Sequence, residues 1–240
     1  MNKITTHRKI FLDTETTGLS PEAGHRIIEI GCVELENGMR TQNNFHCYVN
    51  PELDIDEAAL KVHGITAAFL NEKPLFKDIA SKLITYLKGA QLIIHNAPFD
   101  IGFLNYELGR LGREFGSITD YCTVFDTLVF ARKKHVGQKN NLDALCKRYG
   151  VDNTGRDLHG ALLDAELLAD VYLAMKTGQA NLFMGEENKK FAAASGEHEA
   201  FNETKKKYRL QVIRANTQEL LAHKAFMEKL NVVDSDEQQV

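Results

Sequence analysis

Ile10-Phe11-Leu12-Asp13-Thr14-Glu15-Thr16-Thr17-Gly18 sets two carboxylates, Asp13 and Glu15, two residues apart directly after an apolar run. Read as one strand, the segment points both acids to the same face, about 6.6 Å apart, because strand side chains alternate with period two. Two acids side by side repel, and proteins tolerate that most readily where a bound cation neutralises them or where one holds a proton. Taken alone, Asp-x-Glu at a strand end more often describes a solvated edge. Only further carboxylates from elsewhere in the chain would turn it into a cation site.

The elements outward from this strand alternate between β and α character. Residues 9–13, 27–35 and 45–49 read as strands, with Asn37-Gly38 as a hairpin signal between the second and third. Asn50-Pro51 breaks the sheet, a helix runs from Glu57 to the Gly64 stop, and Pro74 opens another to Leu87. Residues 91–95 form a short apolar strand of the kind buried on both faces, leading into a helix from about Asp100 to Leu111. Segments 125–132 and 142–149 read as helices, and 160–175 is the strongest helix, with an apolar side. The pattern is that of an α/β layer fold.

Composition sets limits on function. A chain of 240 residues, 43% hydrophobic and 26% charged, builds one ordinary core with some length left over. A net charge of −4 excludes a large basic field, so any nucleic-acid substrate has to be delivered rather than captured by charge alone. Cys32, Cys47, Cys122 and Cys146 lie far apart with no C-x-x-C pair, which argues against zinc and a disulfide framework and for a reducing cytoplasm. Neither a signal peptide nor a membrane span is visible.

Two more acids answer Asp13 and Glu15. Asp100 follows the buried strand in His95-Asn96-Ala97-Pro98-Phe99-Asp100, at the carboxyl end where open α/β sheets gather functional groups. Its alternative role is to cap the following helix. Asp164 sits on the strongest helix in His159-Gly160-Ala161-Leu162-Leu163-Asp164. Five residues of helix turn about 500°, so His159 belongs on the lead-in, mobile next to Gly160, while Asp164 is fixed on the helix. An imidazole so placed suits a general base, though a histidine there also serves as a cap. Four carboxylates with one histidine and no cysteine suit two hard cations, Mg²⁺ or Mn²⁺, in a phosphodiester-cutting arrangement. Removing Asp13 or Asp164 is expected to be neutral or stabilising without metal, since fewer repelling acids are buried.

Asp13-x-Glu15-Thr16-Thr17-Gly18, Asn96-x-x-Phe99-Asp100 and His159-x-x-x-x-Asp164 together resemble the three motifs of the DEDDh 3′–5′ exonuclease family, in order and at comparable separations. The resemblance extends over residues 8–178 through Val62-His63-Gly64-Ile65, Asn141-Leu142-Asp143-Ala144-Leu145 and Val171-Tyr172-Leu173-Ala174-Met175. It implies a ribonuclease H-like three-layer fold with a mixed five-stranded sheet. It also implies Asp13, Glu15, Asp100 and Asp164 as metal ligands, His159 as base, and Asp13, Glu15, His63 and Asp164 at the terminal nucleotide. Some members carry a glutamate five positions before the histidine that corresponds to His63, where this chain has Ala58. The implied activity is removal of mispaired 3′-terminal nucleotides for a replicative polymerase. The competing readings are an RNA-trimming relative with the same site and a catalytically silent scaffold.

Beyond the exonuclease domain, taken as residues 1–178, the composition changes. Residues 179–207 read as a flexible linker that begins with Gln179-Ala180-Asn181-Leu182-Phe183, which resembles the Gln-x-x-Leu-Phe peptides that dock into the bacterial sliding clamp. A helix end packing back on the domain is the alternative for that pentapeptide. Residues 208–240 alternate and then turn amphipathic, with a capping-box signal at Asn216 and Glu219, and are too few to form a core alone. They are expected to bind the alpha (polymerase) subunit, in an assembly that has room for a small theta-like subunit. The expected setting is the replisome at a single-stranded 3′ end of DNA, with no membrane.

Overall fold

A computed structural model describes residues 7–156 and 158–177, all within the first of the chain's two units, 1–187. The expected clamp peptide, linker and polymerase-binding tail lie outside the described residues.

The centre of the fold is β1 (Arg8–Thr16), which pairs antiparallel with β2 (Ile27–Glu36) and parallel with β5 (Gln91–Ile94). β2 also pairs with β3 (Met39–Arg40) and β4 (Phe45–Tyr48), and β5 pairs in parallel with β6 (Thr123–Asp126). The sheet is therefore mixed but six-stranded, not five-stranded. The additional strand is the two-residue β3, formed because Asn37 and Gly38 both take positive φ (53° and 84°) and turn the chain straight back onto β2. The hairpin signal thus closes β2 on β3 rather than on β4.

Among the described residues, eight α-helices flank the sheet: α1 (Glu57–His63), α2 (Ala67–Leu70), α3 (Phe76–Leu87), α4 (Ala97–Leu111), α5 (Ile118–Tyr121), α6 (Thr127–Lys134), α7 (Leu142–Tyr149) and α8 (Ala161–Thr177). The expected helix at 125–132 begins two residues later, because Phe125 and Asp126 complete β6 in register with Ile93 and Ile94, and the Asp126 side chain then caps α6. Asp100 does not cap α4. The cap position is Asn96, held at φ 68°, and Asp100 lies one turn inside the helix.

The alternation of β1 separates two cores. Ile10 and Leu12 face one layer with Phe76, Leu83, Phe103 and Leu104 of α3 and α4. Phe11 faces the other with Leu145 of α7 and Ala165, Leu168 and Tyr172 of α8. Asp13 and Glu15 continue the parity of Phe11 and so face the α8 layer, whereas Thr14 faces α4. Pairing between β1 and β5 runs only from Lys9 with Gln91 to Phe11 with Ile93, so the acidic end of β1 projects past its parallel neighbour and leaves room for a cleft.

Helix α8 crosses the sheet closely enough that a Cβ on Gly31 would lie 2.2 Å from the Ala161 carbonyl carbon and the Leu162 nitrogen. Gly31 is also the residue opposite Asp13 in the β1–β2 ladder, so the lack of a side chain there sets the distance from Asp164 to the β1 acids. Both obstructing atoms are backbone, and overpacking of this kind typically costs 1–3 kcal/mol. Gly31→Ala should therefore lower unfolding stability by about 2 kcal/mol, as read by urea denaturation, and reduce activity through displacement of α8.

Candidate active site

The acids predicted from the sequence meet at one cleft of about 650 Å³, lined by Asp13, Glu15, Asp100, His159 and Asp164. Three separate elements deliver the acids. Asp13 and Glu15 come from the projecting end of β1, Asp100 from the first turn of α4, and Asp164 from the first turn of α8. His159 stands on the exposed lead-in to α8, where its N–H donates to the Val62 carbonyl at 3.0 Å. Glu15, His159 and Asp164 each present one potential ligand atom, all within 4.8 Å of one another.

His159 does not cap α8. The first amide of α8, that of Ala161, donates instead to Glu29 Oε2 at 3.1 Å, while the amide of Asp164 donates to the Gly160 carbonyl at 2.9 Å. Glu29 lies opposite Glu15 in the β1–β2 ladder, is 3% exposed, and holds His46 Nε2 at 2.7 Å through its other oxygen. The local signal for this residue was an acid inside the apolar run Ile27-Ile28-Glu29-Ile30. Thr14, on the opposite face of β1, donates from its hydroxyl to Asp100 Oδ1 at 2.7 Å and fixes that carboxylate at the cleft. Arg156 is the other residue that sequence reasoning passed over. Its guanidinium is paired with both oxygens of Asp164 and with Asp143 Oδ1, and it donates to His159 Nδ1 at 2.9 Å.

Burial and mutual repulsion act on these acids together. Burial, then the charges of Asp100, Asp164 and Glu15, raises the Asp13 carboxyl well above the usual carboxylate range. Glu15 is pushed up to about 8, first by burial and then by Asp164 and Glu29, and burial lifts Asp100 to about 7 against the pull of the Thr14 hydroxyl. Such a cluster retains protons near neutrality unless another positive charge replaces them. The donors are all hard oxygens with one imidazole nitrogen, which fits Mg²⁺ or Mn²⁺ and not a thiophilic ion.

His63 lines a second, smaller cavity of about 280 Å³ that adjoins the first at Glu15 and is walled by Leu19, Ala58, Val62 and Phe99. Its Nδ1 accepts from the Ile65 amide at 3.0 Å, which places the hydrogen of the neutral ring on Nε2. That Nε2 is buried and without a hydrogen-bond partner among the described residues.

These shifts determine how metal-free stability depends on pH. A carboxyl whose pKa is raised by folding favours the folded state below its unfolded pKa, and that contribution is lost as the pH rises through the folded value. In chelator, melting temperature should thus decline from about pH 4 upward and still be falling as the pH passes about 7 and about 8, the values reached by Asp100 and Glu15. Asp13→Asn should raise the melting temperature at pH 8. The expectation that Asp164 behaves alike is corrected by Arg156: removing Asp164 leaves a guanidinium only 5% exposed without its main partner. Asp164→Asn should cost about 3 kcal/mol, the low end for a broken buried pair because Asp143 remains.

The family model described as Exonuclease matches residues 10–172. The chain is 47% identical to DNA polymerase III subunit epsilon of Haemophilus influenzae, over 95% of this chain and 92% of that one. It is 46% identical to DNA polymerase III subunit epsilon of Escherichia coli K12, over 91% of each. Among solved structures it resembles Exonuclease X in complex with 5′ overhanging duplex DNA, at 27% identity and a TM-score of 0.53, covering 72% of this chain and 92% of that one. It shares its fold with the nuclease domain of 3′hExo, a DEDDh family member bound to rAMP, at 19% identity and a TM-score of 0.62, covering 75% of this chain and 96% of that one. With a family model spanning residues 10–172 and relatives nearly half identical over more than nine-tenths of the chain, the chain belongs to the exonuclease family and, within it, to the DNA polymerase III epsilon subunits, which are metal-dependent exonucleases.

Proposed function

We propose that this cleft carries out 3′–5′ proofreading, removing mispaired 3′-terminal nucleotides from a growing DNA strand, with Asp13, Glu15, Asp100 and Asp164 holding two divalent cations and His159 serving as the base. The observation that carries this reading is the convergence of four carboxylates and one exposed imidazole, from β1, α4, α8 and its lead-in, on a single cleft. When bound, such cations offset the charge of the phosphodiester and of the attacking and departing oxygens.

The chain's own residues supply the rest. A water oxygen attacks the phosphorus, the bond from phosphorus to the 3′ oxygen breaks, and the products are a nucleoside 5′-monophosphate and a shortened strand ending in a 3′-hydroxyl. His159 accepts the proton of the water, a role suited to an exposed imidazole two residues ahead of α8. His63 is set beside Glu15 to donate from Nε2 to the terminal nucleotide. Its cavity is mostly apolar, which suits a base and sugar freed from the duplex. Ala58 lies in this wall, so the hold on the nucleotide here rests on shape and on His63, without a carboxylate from that position.

The test is release of nucleoside monophosphates from a 3′-mispaired primer, a paired primer and an RNA strand, with Mg²⁺ and with Mn²⁺. Faster release from the mispaired DNA than from the other two is expected. Faster release from RNA would favour the RNA-trimming reading, and no release with either cation would leave the scaffold reading. In the same assay His159→Ala should lose about 10² to 10⁴ in turnover, and a rate within about threefold of the parent would remove His159 from the chemistry.

The partner surfaces follow from the sequence outside the described residues. Gln179, Leu182 and Phe183 are proposed to dock on the sliding clamp, and residues 208–240 on the DNA polymerase III alpha subunit, placing the chain at the replisome in the cytoplasm. A small theta-like subunit completes the proposed assembly. Support comes from relatives named as polymerase III subunits that match over 95% of this chain, more than the exonuclease domain alone would fill. The part of the linker that follows the pentapeptide, residues 184–207, spans roughly 25 to 30 Å, enough to supply a millimolar effective concentration of the primer end. Truncation after Gly185 should leave hydrolysis of free single-stranded ends nearly unchanged and abolish co-elution with the alpha subunit in size-exclusion chromatography. Undiminished co-elution would overturn the assignment of the tail.

A further inference from the structure

The acidic cleft holds one buried positive charge, and its contacts set the state of the site. The side chain of Arg156 is 5% exposed and that of Asp164 4%. Nε of Arg156 meets one oxygen of Asp164 and Nη2 meets the other, so the fork spans the whole carboxylate. Nη1 is directed outward to Asp143, whose side chain is about half exposed. Nη2 also donates to His159 Nδ1 at 2.9 Å, and that same Nδ1 lies 3.3 Å from Asp164 Oδ2.

Two consequences follow from donor and acceptor chemistry. An arginine only donates, so His159 Nδ1 must accept, and the single hydrogen of a neutral imidazole then resides on Nε2. In this state neither ring nitrogen has a lone pair free to take a proton from water. The in-plane lone pairs of Asp164, which a cation would use, are likewise engaged by the guanidinium. The two groups assigned to cation binding and proton transfer from the α8 side are therefore held by one side chain.

We propose that Arg156 is a positioning residue that occupies Asp164 and His159 in the cation-free protein and yields both when a divalent cation takes Asp164. This rests on the reading of Asp164 as a cation ligand and His159 as the base. Asp143 gives the guanidinium somewhere to go, since it lies on the outer side of Arg156 and already pairs with it, so withdrawal from Asp164 does not strand the charge. The arrangement also accounts for how the metal-free cluster is tolerated: the arginine offsets part of the repulsion among Asp13, Glu15, Asp100 and Asp164, and its release coincides with the arrival of stronger positive charge. Cation binding thereby frees His159 Nδ1, which ties readiness of the base to occupancy of the site.

The alternative is that Arg156 stays on Asp164 in every state and orients it for the cation. The two differ in the sign of one measurement. Mn²⁺ is titrated into the full chain and into R156Q, R156K and D164N, with free Mn²⁺ followed by electron paramagnetic resonance and melting temperature recorded in chelator and in Mn²⁺. If Arg156 competes with the cation, R156Q binds Mn²⁺ about tenfold more tightly, R156K falls between it and the parent, and the melting temperature of R156Q drops in chelator but recovers in Mn²⁺. Unchanged or weaker Mn²⁺ binding in both Arg156 variants overturns the proposal, as does an equal loss of melting temperature with and without Mn²⁺. D164N separates the two layers of the inference. Weakened binding in D164N upholds the ligand reading whatever Arg156 does, and parental binding in D164N removes that reading and the proposal with it.

Discussion

Repulsion among carboxylates brought together out of water is the constraint around which this molecule is arranged. Four acids from distant parts of the chain share one cleft, and burial weakens the solvent screening that keeps such charges apart on a surface. The protein meets this in three ways: a raised affinity of Asp13, Glu15 and Asp100 for protons, a hydroxyl donated from Thr14 to Asp100, and a guanidinium clamped on Asp164. A site assembled in this way is strained by charge until it is loaded, which is a physical reason for tight coupling between metal occupancy and stability.

The fold supplies the geometry by giving the two faces of one strand different tasks. Even positions of β1 up to Thr14 face α4, and odd positions from Phe11 to Glu15 face α8, so a single extended segment reaches Asp100 on one side and Asp164 on the other. The parallel partner β5 stops short, which uncovers the acidic end of β1 without exposing its apolar middle. Gly31 then lets α8 approach to backbone contact, and Glu29, one turn of the pleat away, caps its first amide. Two neighbours on β2 thus place the helix, one by having no side chain and the other by having a charged one.

That arrangement also separates the fixed parts of the site from the adjustable ones. Asp13, Glu15, Asp100 and Asp164 are set by regular elements, while His159 and Arg156 lie on the irregular lead-in to α8. The proposed ligands would benefit from being rigid and the proposed proton acceptor from being able to move, and the division between helix and lead-in suits both roles. The smaller cavity around His63 shares Glu15 with the acidic cleft, so the two spaces open onto one carboxylate.

The sequence by itself determined the kinds of element and their order, the layer architecture, and the residues of the candidate site, because periodicity and motif spacing are local properties. Asp13 and Glu15 on one strand face, Asp100 beyond a buried strand and Asp164 behind His159-Gly160 were all legible in that way. The short strands were less so: β3 is two residues long, and β6 was absorbed into the following helix, because its pairing with β5 depends on a partner about thirty residues away. Only the tertiary structure decided which charges meet. Glu29 reaches Ala161 across 132 positions and Thr14 reaches Asp100 across 86, distances over which no local pattern carries information. Arg156 was close in sequence to Asp164 and still invisible, since an arginine on a polar loop reads as solvated until the packing of α7 and α8 shows it buried on the carboxylate. The raised pKa values belong to the same category, because they arise from desolvation and from neighbours that folding alone assembles.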